Sequence, residues 1–365
     1  MNSGKNINII IDGISNSGGT DRVLSMISNM FVLNNNKVTV FSLNDSIPYY
    51  KISTEVKIIS PSTKGRLAKL MSFVRHVKVD NPDIIIVVSM GRLSAQIIPL
   101  LKVFKCKSEI ICYDHVSIES FPTYIRMIKR IAYYLADKIV VLTDSDKRFI
   151  QDNYKIDNVY VIRNPSPFDE NTIEPSELQH KIKKILAVGR LTYQKNFHRL
   201  INLWSKIDST GWELCIVGEG DDYESLINLC QRLELNNIKI KKPDKNIQLL
   251  YKESSVLVMT SRYEGLPMVL IESKNFGLPV IAFDCKTGPA EIISNDGYLV
   301  DYSNDCEFLI KLEKLMFNHE LRKELSLNAI KNSKNYSCEN IYLQWLSVLN
   351  DYLKVTSRGI KCFQY

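Results

Sequence analysis

Short apolar runs alternate with stretches of helical periodicity along most of the chain. In the first half the runs fall at 7–12, 37–43, 83–89, 109–113 and 138–143. The run DIIIVVS at 83–89 is almost continuously apolar, as in parallel strands buried on both faces. Between the first two runs, residues 21–31 set Val23, Ile27, Met30 and Phe31 on one side of a helix. Strands separated by helices predict parallel βαβ units.

The rhythm breaks near Asn164-Pro165-Ser166-Pro167, and the polar stretch to Ser176 reads as a linker. It then restarts. Strands are expected at 185–188, 213–217, 256–260 and 280–283, with helices at 196–207, 222–233 and 267–276. The pattern predicts an α/β protein of two doubly wound, Rossmann-like domains, 1–165 and 166–337. An amphipathic helix at 338–354 follows them. In such folds ligands sit at the carboxyl ends of the strands, here in a crevice between the two domains.

At 365 residues the chain is too long for one ordinary core and suits two. The N-terminus has no long apolar stretch of the signal-peptide kind, and no run approaches a membrane span. The eight cysteines lack CxxC pairing and read as reduced thiols, so a cytoplasmic location is expected. Charge is unevenly placed. Residues 1–165 hold 22 Lys/Arg against 14 Asp/Glu, so the whole net charge of +7 arises in the first half. That suits an anionic membrane surface or a phosphate-bearing partner. No helix-turn-helix, zinc or base-stacking pattern supports nucleic acid.

Four stretches carry candidate chemistry. The segment 261–272, SRYEGLPMVLIE, follows a strand and opens a helix, with Pro267 suited to the first helical position. Free N–H groups around Leu266, Met268 and Val269 would face an anion. Glu264 stands in the loop. Glu272 lies among apolar residues, where it either accepts from a ribose diol or pairs locally on a half-exposed helix. In VGRLTYQKN (188–196), Arg190 and Lys195 follow a strand. They suit a diphosphate, or form a solvated basic loop. Gly18 and Gly19 allow close backbone approach to a ligand, or simply make a tight turn. His115 ends a strand, and either bonds a sugar hydroxyl or is a satisfied loop histidine.

Two motifs mislead. Asp144-Ser145-Asp146 matches a metal-binding DxD pattern, but it opens a helix, where capping explains it better. The acidic residues in Gly218-Glu-Gly220-Asp-Asp would repel phosphate, so a turn is expected there.

Together, GGTDRV (18–23), VGRLTYQKN, EGLPMVLIE (264–272) and DCKTGPAEII (284–293) resemble the retaining glycosyltransferases of family 4, with the GT-B fold. The spacing from Glu264 to Glu272 fits that family's EX7E motif. The resemblance spans nearly the whole chain and is weak over 44–105, where acceptors are usually recognised. It implies that Gly18 and Gly19 sit near the donor phosphates. Arg190 and Lys195 would stabilise the diphosphate leaving group. Glu264 would touch the donor sugar, and backbone at Gly265, Leu266, Pro267, Met268 and Val269 would contact sugar and phosphate. Glu272 would bind ribose, and His115 matches the family's active-site histidine. The loop 284–290 would close over the donor, and the last helix would return to the first domain. The donor is then a nucleotide-sugar, UDP before GDP, with base recognition near Lys241–Pro243 and no metal or other cofactor.

A saccharide or polyprenyl-diphosphate-linked saccharide is the expected acceptor, in assembly of O-antigen, capsule or lipopolysaccharide. Residues 64–78, with Leu67, Leu70, Met71 and Val74 on one face, and 124–134 are basic and amphipathic. They fit either peripheral contact with an anionic leaflet or ordinary packing on a core. Competing readings are a nucleotide-sugar epimerase of the same fold and a non-catalytic partner subunit.

Overall fold

A computed structural model describes residues 4–168, 173–243 and 246–349. The chain forms two compact units. The first is residues 1–167 with the segment from Cys338, and the second is Phe168–Ser337.

The first unit runs β1 (Asn6–Ile11), α1 (Gly19–Leu33), β2 (Lys37–Ser42), β3 (Lys57–Ile59), α2 (Arg66–Asp80), β4 (Ile84–Ser89), α3 (Leu93–Val103), β5 (Glu109–Asp114), α4 (Thr123–Leu135), β6 (Lys138–Val141), α5 (Asp144–Tyr154) and β7 (Val159–Val161). Its seven strands are all parallel, in the order β3-β2-β1-β4-β5-β6-β7. Every residue of β4 is buried, as its unbroken apolar sequence requires. One core layer joins Ile85, Val87, Ile97, Ile110, Ile139 and Phe73.

The second unit runs β8 (Lys184–Val188), α6 (Phe197–Trp204), β9 (Glu213–Val217), α7 (Tyr223–Arg232), β10 (Ile238–Lys241), α8 (Ile247–Glu253), β11 (Val256–Met259), α9 (Met268–Asn275), β12 (Val280–Asp284), α10 (Pro289–Ile292), β13 (Gly297–Asp301), α11 (Asp305–Phe317) and α12 (His319–Ser333). Its parallel sheet has the order β10-β9-β8-β11-β12-β13. The strand order reverses between β1 and β4 in the first unit and between β8 and β11 in the second. At such switch points the two flanking loops part and leave a crevice at the carboxyl edge.

Helix α13 (Cys338–Val348) belongs to the first unit. Trp345 meets Phe31 of α1 and Tyr113 of β5 edge-on, with centroids at 5.5 and 5.2 Å. The expected extension of this helix to 354 lies outside the described residues.

The two basic amphipathic stretches differ in where their apolar faces lie. Helix α2 buries Leu70, Phe73, Val74 and Val77, while Leu67 is two-thirds exposed. Its buried face joins the core of the first unit, and Leu67 lies outside that face. Helix α4 keeps its apolar stripe outside. Tyr124, Met127, Ile128, Ile131 and Tyr134 are 47–66% exposed, and its inner face is Ile125, Lys129, Ala132 and Tyr133. Among the described residues no helix is long and apolar enough to cross a membrane.

Candidate active site

In the second unit the loops after β8 and β11 are tied together across the switch point. Arg262 makes most of the connection. Its backbone N–H donates to the Gln194 carbonyl at 2.8 Å, and its guanidinium donates to Tyr193 O at 3.1 Å and Asn196 Oδ1 at 2.9 Å. The guanidinium also lies 4.1 Å from the Tyr193 ring centroid. Gln194 returns a bond to the Tyr263 carbonyl at 3.0 Å. The Thr260 hydroxyl lies 3.2 Å from the carbonyls of Lys195 and Asn196.

This frame brings Lys195 and Glu264 together. Their Nζ and Oε1 are 2.7 Å apart, with 14% and 7% of the side chains exposed. Arg190 stays on the surface, where its Nη2 lies 3.4 Å from Gln194 Oε1. So the two cations differ. One is held in a buried pair, and the other is exposed to solvent.

The helix start shifts by one residue. Pro267 is the cap of α9, and Met268 opens the helix. The cap carries no side-chain hydrogen bond and the first turn no acidic residue. The positive end of α9 is thus uncompensated by a local carboxylate. Gly265, Met268 and Val269 are half-buried around it, and Leu266 and Pro267 are buried.

Glu272, on α9, is 4% exposed, which removes the half-exposed helix reading. The Tyr251 hydroxyl donates to its Oε2 at 2.8 Å. Tyr251 is itself fully buried and stacks on Phe276 at 5.2 Å. A carboxylate in this setting must be hydrogen-bonded to stay charged.

The segment 284–288 lies directly against the Glu264 turn. Tyr263 and Lys286 form a parallel bridge, and the Thr287 hydroxyl donates to the Glu264 carbonyl. Gly288 has φ +93°, and a Cβ there would stand 2.5 Å from the Gly265 carbonyl oxygen. The glycines of the 218–222 motif have a similar backbone reason. A Cβ on Gly218 or Gly220 would run into the carbonyl of Gly189 or Leu191.

In the first unit, Gly18 caps α1 and Gly19 opens it, both exposed at the carboxyl edge. Asp45 steadies the preceding loop, accepting from Ile14 N at 2.7 Å and Ser15 Oγ at 2.8 Å. His115 follows β5 and is 7% exposed. Its backbone N–H bonds Ser89 O, yet its Nε2 finds no hydrogen-bond partner among the described residues. Burial pushes its pKa down to about 3, so the ring is neutral at working pH.

The Asp144–Asp146 motif is structural. Thr143 caps α5, accepting from Asp146 N, and the Asp146 carboxylate accepts from Thr143 and Ser117 hydroxyls. Asp144 pairs with Arg163 at 2.9 Å. Among the described residues no cluster of His, Cys, Asp or Glu is composed to hold a metal. Sequence reasoning missed Tyr251 and Arg262. Arg262 lies within SRYEGLPMVLIE but was given no role there, Tyr251 has no motif of its own, and the loop pairing and the packing of α8 reveal them.

Residues 168–332 match the family model described as glycosyl transferases group 1. The chain is 47% identical over 346 residues to the amylovoran biosynthesis glycosyltransferase AmsD of Erwinia amylovora, covering 94% of this chain and 99% of that protein. It is 26% identical over 355 residues to a Campylobacter jejuni alpha-1,4-N-acetyl-D-galactosaminyltransferase named for a diphosphate-undecaprenol-linked saccharide, covering 92% of this chain and 95% of that protein. The crystal structure of Anabaena HepE with UDP aligns at TM-score 0.78 and 17% identity, covering 94% of this chain and 99% of that one. This likeness supports the GT-B fold of two Rossmann-like domains. With a 47% identical relative matched nearly end to end, the chain belongs to the group 1 glycosyltransferases.

Proposed function

We propose that this glycosyltransferase is a retaining family 4 enzyme that transfers a sugar from a UDP-sugar to a lipid-diphosphate-linked saccharide during surface-polysaccharide assembly. The observation that carries the reading is the buried Lys195–Glu264 pair in the segment leading to the uncapped start of α9. Glu264 and Glu272 have the EX7E spacing, and both are buried.

Breaking the sugar–diphosphate bond leaves negative charge on the diphosphate. Lys195, Arg190 and the N–H groups at 268–269 stabilise that charge as it develops. These groups supply positive charge without a metal. Glu264, oriented by Lys195, meets the donor sugar, and Tyr251 fixes Glu272 for the ribose. The neutral His115 ring bonds a sugar hydroxyl through Nε2. Front-face attack by the acceptor hydroxyl then retains the anomeric configuration and gives an α-linkage. The uridine base lies near Lys241–Pro243.

UDP is favoured because the similar HepE was crystallised with it. The acceptor class follows from the names of AmsD and the Campylobacter enzyme. The exposed stripe of α4 adds support. It is flanked by Arg126 and Arg130, and the helix carries no carboxylate, which suits an anionic bilayer holding such an acceptor. The catalytic assignment goes with a cytoplasmic enzyme in peripheral contact with the inner leaflet.

The test is product analysis by NMR with a polyprenyl-diphosphate saccharide and, separately, its lipid-free counterpart, with and without chelator. An α-linked product, faster turnover on the lipid-linked acceptor and indifference to chelator are expected. A β-linked product from an α-linked donor would overturn the retaining assignment. Equal turnover of the lipid-free acceptor would overturn the lipid-linked one, and loss of activity with chelator the metal-independent one.

A further inference from the structure

We propose that Lys129 and Tyr133, on the inner face of α4, are positioning residues that set His115 through Asp114. The inference rests on the reading of His115 as an active-site residue. Lys129 is a fully buried ammonium, 3.0 and 2.9 Å from the two Asp114 oxygens and 3.1 Å from the Gly91 carbonyl. The Tyr133 hydroxyl donates to the same carboxylate, and both it and Asp114 are buried.

Stability gives no account of this cluster. Burying an ion pair costs several kcal/mol per ion, and apolar replacements of similar volume are often neutral or stabilising. Location does give one. Asp114 ends β5 and His115 is the next residue. On the far side of His115, Asp146 accepts from Ser117 Oγ at 2.7 Å and Ile118 N at 3.2 Å. The turn is therefore gripped from α4 before the histidine and from α5 after it. Lys129 also holds the Gly91 carbonyl, which ties the loop after β4 to the same point. Between these grips, the buried His115 Nε2 has no hydrogen-bond partner among the described residues. The network fixes the backbone on both sides of the ring, which packs on Tyr113 with centroids 4.2 Å apart, and leaves that nitrogen for a ligand.

The test is a double-mutant cycle read by steady-state turnover of a UDP-sugar. Tyr133→Phe keeps the ring packing and removes one donor, and Lys129→Met removes the charge. Each is made alone and in a His115→Ala background, with melting temperatures recorded. Loss of alignment by about 1 Å costs on the order of 100-fold. A kcat loss of about 10- to 100-fold is expected in the His115 background, with KM for the donor nearly unchanged. In the His115→Ala background the same substitutions should cost little more. Wild-type kcat in Tyr133→Phe, or an undiminished further loss without His115, would overturn the positioning role while leaving His115 in the site. A fully active His115→Ala would overturn the reading of His115 itself, and the positioning role with it.

Discussion

Lys195 and Glu264 stand 69 residues apart in sequence and 2.7 Å apart in space, both largely shielded from water. Neither is replaceable alone. Truncating one partner of a buried pair costs about 3–5 kcal/mol through the charge left behind. Under the proposed function Lys195 also faces the leaving diphosphate at the transition state. Lys195→Ala should therefore lower both the melting temperature and kcat, the latter by about 100- to 1,000-fold. A Lys195→Ala, Glu264→Gln double variant should recover part of the melting temperature and none of the turnover. Calorimetry and steady-state kinetics on the same samples check this.

Tyr251 has a narrower task, to donate to the Glu272 carboxylate. A hydrogen bond to a charged group contributes about 1.5–3 kcal/mol. Tyr251→Phe preserves the stack on Phe276, so the fold should hold. Titration calorimetry with UDP should show affinity falling by roughly 10-fold or more. Unchanged affinity would separate Glu272 from nucleotide binding.

Gly288 takes a positive φ against the Gly265 carbonyl and the Pro267 ring. Gly288→Ala forces a strained backbone, at about 1–3 kcal/mol, and pushes on the turn that opens α9. We expect weaker donor binding together with a lower melting temperature. Retention of both would mean the 284–288 segment is free to move away from that turn.

Much of this was legible in sequence because parallel strands buried on both faces leave unbroken apolar runs. The runs that became β4, β5 and β9 were found nearly to the residue. Short or half-exposed strands were not: β3 has three residues, and β10 alternates half-buried with exposed positions. The same limit hid α8, and with it Tyr251. Periodicity also predicts that a helix has two faces without saying which is inside. Leu67 was grouped on one face with Leu70 and Val74, which are buried, and lies outside. For Lys129 the error of habit runs the other way, since a lysine inside KRIAYY reads as solvated and is fully buried. Glu264 and Glu272 were readable as a spaced pair, but their partners come from elements 69 and 21 residues away.

His115 makes stability depend on pH. Burial lowers its pKa from about 6.5 to about 3. Between those values the unfolded chain binds a proton that the folded chain does not. Its contribution is thus fully present above about 6.5 and is lost as pH falls toward 3. Denaturant unfolding from pH 7 to 5 should show stability falling with acidification. His115→Phe should flatten that slope, and an unchanged slope would mean the ring is open to protons in the fold.

Under the proposed function, the loop after β8 and the start of α9 bind a nucleotide diphosphate. The most direct measurement is a thermal-shift panel of UDP, GDP and ADP without added metal. A ligand at 100 times its dissociation constant stabilises the fold by about 2.7 kcal/mol, a readable shift. A shift with UDP that disappears in Arg190→Ala and Glu272→Ala is predicted. No shift with any nucleotide in a well-folded sample would contradict the account and leave a non-catalytic partner subunit as the better reading.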